Sequence, residues 1–232
     1  MALVLALAVA GLAVAWQADA NRTYDEARSG FASAAERVES ERDELAAAVA
    51  EQQQTLAIAG TIADTATADV VDPTTLEAFE GAVAASHAVA AEADEALAAA
   101  APDVVDVETD AGGADADGAD ARPFWPWELA ESEDELTRDD REARDTVANL
   151  RELRERFDAA VSAVDAATPA LFASTRAVAE RLQAESPSAR STDLVAFRSA
   201  ADAVAIPQDV TLEASDALVA FVSATSQLRA SN

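Results

Sequence analysis

Fifteen consecutive apolar residues, 2–16 (ALVLALAVAGLAVAW), open the chain, and no later stretch is like them. Beyond them apolar side chains recur every three or four positions, the period of an α-helix, and no segment alternates as a half-buried strand would. Tyr24, Phe31, Val38 and Leu45 repeat every seven residues, with Ala35, Val49 and Leu56 on the neighbouring seam and Ile58 and Ile62 beyond. Arg28, Arg42 and Gln52 interrupt that seam, so the coiled-coil pattern is broken in places. The spacing predicts one helix over about residues 19–61, able to continue from the N-terminal segment, with Gly60 loosening its end. Asp72-Pro73 predicts a helix start, an N-cap followed by proline at the first position. Leu76, Phe79, Val83, His87, Ala90 and Leu97 then form one stripe, weakened by Asp94 and ended by Pro102. The first two helices are close enough in sequence for an antiparallel hairpin.

Residues 101–122 change character to Asp, Gly and Ala, a flexible acidic linker, and lead into Pro123, Phe124, Trp125, Pro126 and Trp127. Ser132 and Glu135 have the spacing of a capping box. Leu136, Ala143, Leu150, Phe157 and Val164 form the most regular heptad of the chain, with Val147 and Val161 beside it and Arg154 on one seam position. Thr168-Pro169 predicts a new helix with Leu171, Thr175, Val178 and Leu182, ended near Pro187. Asp193 predicts another, with Leu194, Phe197, Ala201 and Val204, stopped before Pro207. The last starts at Thr211 and carries Leu212, Leu218, Phe221, Val222 and Leu228. The expected fold is therefore all-α. It comprises a signal anchor or signal peptide (1–20), a helical hairpin or coiled-coil stalk (21–100), an acidic Gly/Asp linker with an aromatic cluster (101–131) and a helical bundle (132–232).

At about 1.5 Å per residue the apolar run spans about 22 Å, against about 30 Å of hydrocarbon. It is short for a transmembrane helix and of the right length for a signal-peptide core, and Ala18 and Ala20 flank Asp19 in a small-residue cleavage pattern. No positive flank precedes it, since Met1 is followed directly by Ala2. Three readings follow: an anchor continuing into the stalk, a cleaved signal, or a core helix of a soluble protein. The anchor is preferred, with the bulk of the chain outside the cytoplasm; secretion is the alternative. The absent positive flank, and the stop at Asn232 just after Leu228 and Arg229, also suit a piece of a longer protein.

Composition narrows the function classes. The net charge is −28, with all sixteen basic residues Arg. Nucleic acid and anionic lipid would both repel such a chain. There is no Cys, so disulfides, thiol nucleophiles and thiolate metal sites are excluded. Alanine supplies most of the apolar half, and seven Phe, three Trp and one Tyr are the only aromatic side chains available for a core. Helical packing with little buried area per residue is expected.

Candidate chemistry is sparse. Asp115, Asp117 and Gly118 match a fragment of a calcium loop, but aligning Gly118 to position 6 leaves Gly113 and Phe124 at the end-ligand positions, so the loop is incomplete. His87 is the sole histidine and has no second imidazole or thiol to share a metal. Forty-four acids produce carboxylate pairs at every helical spacing and single out none. No nucleophile elbow or phosphate-binding glycine loop occurs. No enzyme activity and no cofactor are expected. Phe124, Trp125 and Trp127 are the most distinctive local feature. They would serve as a plug for the end of the bundle, a partner contact, or a membrane-interface contact.

The apolar run 2–16, the stalk 24–56 and the heptads 136–164, in an alanine-rich chain with Arg but no Lys, resemble exported or membrane-anchored coiled-coil proteins of high-GC actinobacteria. The apolar run and the heptads suit a spacer or scaffold at the cell envelope, held to the membrane through residues 2–16. Self-association through the heptad seams and an envelope protein partner are the interactions it allows. The alternatives are an extracytoplasmic sensor or ligand-binding bundle, which would need a second membrane segment, or a regulator of an envelope enzyme. Residues 212–228 do not provide that segment, being interrupted by Glu213 and Asp216.

Overall fold

A computed structural model describes residues 2–100, 125–207 and 209–232, the side chains of residues 2–15 and of Pro126 excepted. The linker 101–122 and Phe124 lie outside the described residues. Five helices and no strand are present among those described: α1 (Ala2–Thr65), α2 (Pro73–Ala99), α3 (Pro126–Glu185), α4 (Ser191–Val204) and α5 (Leu212–Ser231). The all-α expectation holds. Among the described residues no helix is long and apolar enough to cross a membrane. The expected membrane segment falls on side chains that are not described, and only its helical backbone belongs to the structure.

The helices start where local chemistry directs them. Asp72 caps α2 as expected: its Oδ1 accepts from the backbone N–H groups of Thr74 and Thr75 at 2.9 and 3.2 Å. Thr211 caps α5 through its hydroxyl, which accepts from the N–H of Ala214 at 3.1 Å. α4 begins at Ser191, two residues before the expected Asp193, which lies in its first turn where an acid suits the helix dipole. At the far end of α3 the Asn232 side chain donates to the Glu185 carbonyl at 3.3 Å and accepts from the N–H of Ser188 at 3.1 Å. It thereby occupies polar backbone groups that the helix end leaves open.

Three sequence-based boundaries are corrected. Gly60 does not loosen α1, which continues to Thr65. Ser132 lies inside α3, so the Ser132–Glu135 spacing starts no helix. Pro169 also lies inside α3, on its exposed face, and Thr168 points inward, its hydroxyl donating to the Val164 carbonyl at 2.7 Å. The heptad read from Leu136 to Val164 continues back to Leu129 and on through Leu171 to Val178, and its members from Leu150 to Val178 are buried on both sides of the proline.

The chain divides into two compact units, Met1–Glu44 with Leu97–Arg151, and Leu45–Ala96 with Glu152–Asn232. In the first, α1 and α3 run parallel. Gly30 faces Asp140, where an added Cβ would lie 3.7 Å from Oδ1, and Arg151 pairs with Glu41. Both contacts join residues 110 apart. Arg151 donates to Glu41 through Nε at 3.1 Å, and the Glu41 side chain is only 12% exposed. Alanines and half-buried Tyr24, Phe31 and Val38 fill the seam, with Ala34 buried.

The second unit holds the main core. Ile62, Phe79, Leu171, Phe172, Phe197, Leu218, Phe221 and Leu228 are buried there, with all five helices' chain order represented except the N-terminal parts of α1 and α3. α2 runs antiparallel to α1: Leu76 and Phe79 share one core with Ile62 and Ala59, Gly60 lies beside His87, and Val89 and Ala90 lie against Leu56, Phe157 and Val161. Outer ion pairs join Arg156 to Glu92 at 2.8 Å and Arg229 to Asp69 at 3.1 Å. Hydrogen bonding and charge from Arg229 hold the Asp69 carboxyl below its ordinary range, and Asp69 in turn raises Arg229. Leu212, read as part of the apolar stripe of α5, is exposed instead; Ala214 and Ser215 take the inward positions.

Candidate functional site

The start of α3 is built by Trp125, Pro126 and Glu128. The Trp125 carbonyl accepts from the N–H of Leu129 at 3.0 Å, and its own N–H donates to Glu128 Oε2 at 3.3 Å. Trp125 is therefore the N-cap residue, Pro126 stands at the first helical position, and Glu128 folds back as the acid of a capping box does. Leu129 is fully buried and roots this turn in the first unit. Trp125 and Trp127 stack with ring centroids 4.9 Å apart and planes within 10° of parallel.

Neither Trp125 nor Trp127 is packed into a core among the described residues. Trp125 is 48% and Trp127 59% exposed. The aromatic area of the core comes from Phe79, Phe157, Phe172, Phe197 and Phe221 instead. Trp16, the third tryptophan of the chain, is 60% exposed. Within the first unit the register of 110 residues set by Glu41 and Arg151 brings Trp16 level with residue 126, the first residue of α3. At about 1.5 Å of rise per residue, Trp125 and Trp127 then lie within a few ångströms of the height of Trp16. All three indoles are thus at one height along the unit, level with the start of α3. Sequence order hid this, because the offset between α1 and α3 is visible only once the two helices are paired.

Other candidates are distributed differently. His87 does not lie on the inward stripe of α2; Ser86 does, and donates its hydroxyl to the Ala82 carbonyl at 2.9 Å. His87 is exposed and lies beside Gly60, where an added Cβ would be 3.6 Å from Nε2. Asp94 does not break the stripe, because Ala93 occupies the buried position. Among the described residues no group of His, Asp and Glu is gathered closely enough to hold a metal ion.

Open grooves lie in both units, and two of them border α3. In the first unit a groove of about 470 Å³ is lined by Phe31, Val38, Ala143 and Thr146, with Glu39 and Asp139 at its margin. In the second a groove of about 310 Å³ lies between α3 and α4, where Arg176, Glu180, Arg198 and Asp202 mix both signs of charge. Arg198 there donates to Gln183 at 3.0 Å. Neither groove sets a nucleophile beside a base. In the second unit Leu45, Leu56, Phe157, Val161 and Val164 of the heptad seams are buried. Compared with family models, curated proteins and solved structures, the chain matches none.

Proposed function

We propose that this chain is an extracytoplasmic structural and interaction protein, a helical spacer or scaffold anchored at the cell envelope and without catalytic activity of its own. The observation that carries this reading is the continuity of α1. The apolar run 2–16 and the charged stalk that follows it are one unbroken helix, Ala2–Thr65. An anchor that continues into a stalk has this form, whereas a cleaved signal is ordinarily separated from the mature fold near its cleavage site. The surface beyond the run supports the reading too. It is strongly acidic, as suits a solvated object held clear of anionic lipid.

The test is membrane flotation and protease accessibility of the full chain with a C-terminal tag. The chain is expected to float with membranes, to resist extraction by high salt, and to lose its tag when protease is added outside the cell. Release into the medium with a shortened N-terminus would favour secretion. Recovery in the cytosolic fraction would defeat both readings and leave a core helix of a soluble protein.

A further inference from the structure

We infer that Trp16, Trp125 and Trp127 form an interfacial collar that seats the start of α3 on the headgroup layer of a zwitterionic bilayer, beside the point where α1 enters it. The inference deepens the anchored reading and rests on it. Its first support is position. The three indoles are the only ones in the chain, they come from two helices more than a hundred residues apart in sequence, and the parallel register sets them at one height. Its second support is exposure. Five phenylalanines are buried in the core of the second unit, while each indole keeps about half its surface open, Trp127 and Trp16 somewhat more. Indoles prefer the interface because the ring is apolar and the N–H can remain hydrated.

The occupant follows from continuity. The helical backbone of residues 2–15 extends past the start of α3 by about 21 Å, at about 1.5 Å per residue. If those apolar residues enter hydrocarbon, the level of Trp16 is the headgroup layer, and Trp125 and Trp127 meet it as well. A membrane seat also suits the construction of the ring pair. Trp125 is fixed as the N-cap of α3, Glu128 and the buried Leu129 hold the turn, and the second ring stacks on the first. Little side-chain freedom is left to lose on binding. The neighbouring charges are mainly acidic, Asp19, Asp25, Glu26, Glu128 and Glu131 against Arg22 and Arg28, and this excess selects a zwitterionic surface over an anionic one.

The collar holds α1 and α3 by the same layer, so a short anchor is supplemented by a second attachment. A fifteen-residue span is shorter than the hydrocarbon thickness, and interfacial tryptophans are one means by which such a span is held.

The experiment uses the full chain in phosphatidylcholine vesicles, with flotation as the first readout and tryptophan fluorescence as the second. The Trp16→Phe variant reports Trp125 and Trp127 alone, and the Trp125→Phe/Trp127→Phe double variant reports Trp16 alone. Phosphatidylcholine brominated high on its acyl chains is expected to quench both variants by about half, and lipid brominated near the chain ends to quench much less, as for rings at the interface. A chain that floats, with Trp16 quenched but Trp125 and Trp127 unquenched, overturns the collar while leaving the anchor standing. That result would return the two exposed rings to a protein partner. A chain that does not float overturns anchor and collar together. Circular dichroism of both variants at 222 nm separates lost contact from lost folding; unchanged helicity with the expected quenching is the supporting result.

Discussion

Thr225 lies on the buried face of α5, 2% exposed, and its hydroxyl has no hydrogen-bond partner. Thr168 and Thr175, also buried, each donate to a carbonyl of the preceding turn, Val164 at 2.7 Å and Phe172 at 2.6 Å. An unsatisfied buried hydroxyl costs about 1–3 kcal/mol, and valine has nearly the same shape and the same χ1 stiffness. Thr225→Val is therefore expected to raise stability by about 1 kcal/mol, roughly 2–4 °C in melting temperature for a chain of this size. Thr168→Val should lower it or leave it unchanged. Differential scanning calorimetry of the two variants side by side checks the contrast, and an equal response would show that hydroxyl satisfaction does not matter here. Residue identity alone could not have separated these threonines, since the difference lies in which carbonyl each hydroxyl can reach. His87 shows the same limit: spacing at i, i+4 points it inward, whereas the packed face of α2 passes one residue earlier, through Ser86.

At the scale of the element, α3 illustrates how packing overrides local punctuation. Thr168-Pro169 carries the usual signature of a helix start, yet the helix runs through it from Pro126 to Glu185. The deciding information was in the sequence in another form. The seven-residue repeat Leu136, Ala143, Leu150, Phe157, Val164 continues in phase to Leu171 and Val178 and back to Leu129, with all the large members from Leu150 to Val178 buried. A true new helix would have had no reason to keep that phase. The start of α3 was less legible, because Trp125 is not among the usual capping residues; Pro126 and Glu128 at the first and third positions were the available signal. Keeping Pro169 inside the helix removes one backbone donor and crowds the carbonyl four residues earlier, a penalty of about 3 kcal/mol in an unstrained host helix. Because Pro169 is on the exposed face, no core contact is lost with it. Pro169→Ala is expected to stabilise the chain by about 1–3 kcal/mol. Urea unfolding followed by circular dichroism measures it, with the midpoint rising and the slope unchanged. A fall in the midpoint would mean that the proline sets a bend on which the core depends.

For the whole molecule the dominant long-range force is self-repulsion. The chain carries 44 acidic side chains against 16 arginines. Opposing this are ion pairs such as Arg156–Glu92 and Arg229–Asp69, whose side chains are roughly half exposed or more. Exposed pairs of this kind contribute little, and the depressed Asp69 carboxyl reflects a local preference for charge without implying a large gain. Arg151–Glu41 is the better shielded pair, with the carboxylate 12% exposed. Salt screens attraction and repulsion alike, but the Debye length falls from about 30 Å at 0.01 M to about 8 Å at 0.15 M. Repulsion among many dispersed carboxylates therefore weakens first, while close contacts such as Arg156–Glu92 at 2.8 Å persist. The melting temperature of the full chain in uncharged detergent micelles should rise by several degrees between low and physiological sodium chloride. Most of that rise should be complete before the molar range, where salting-out of apolar surface would take over. Replacing Glu41 by Gln should lower stability at every salt concentration, because it removes the shielded pair. A melting temperature that falls as salt is added would show the opposite balance: that the arginine contacts between helices outweigh the excess negative charge.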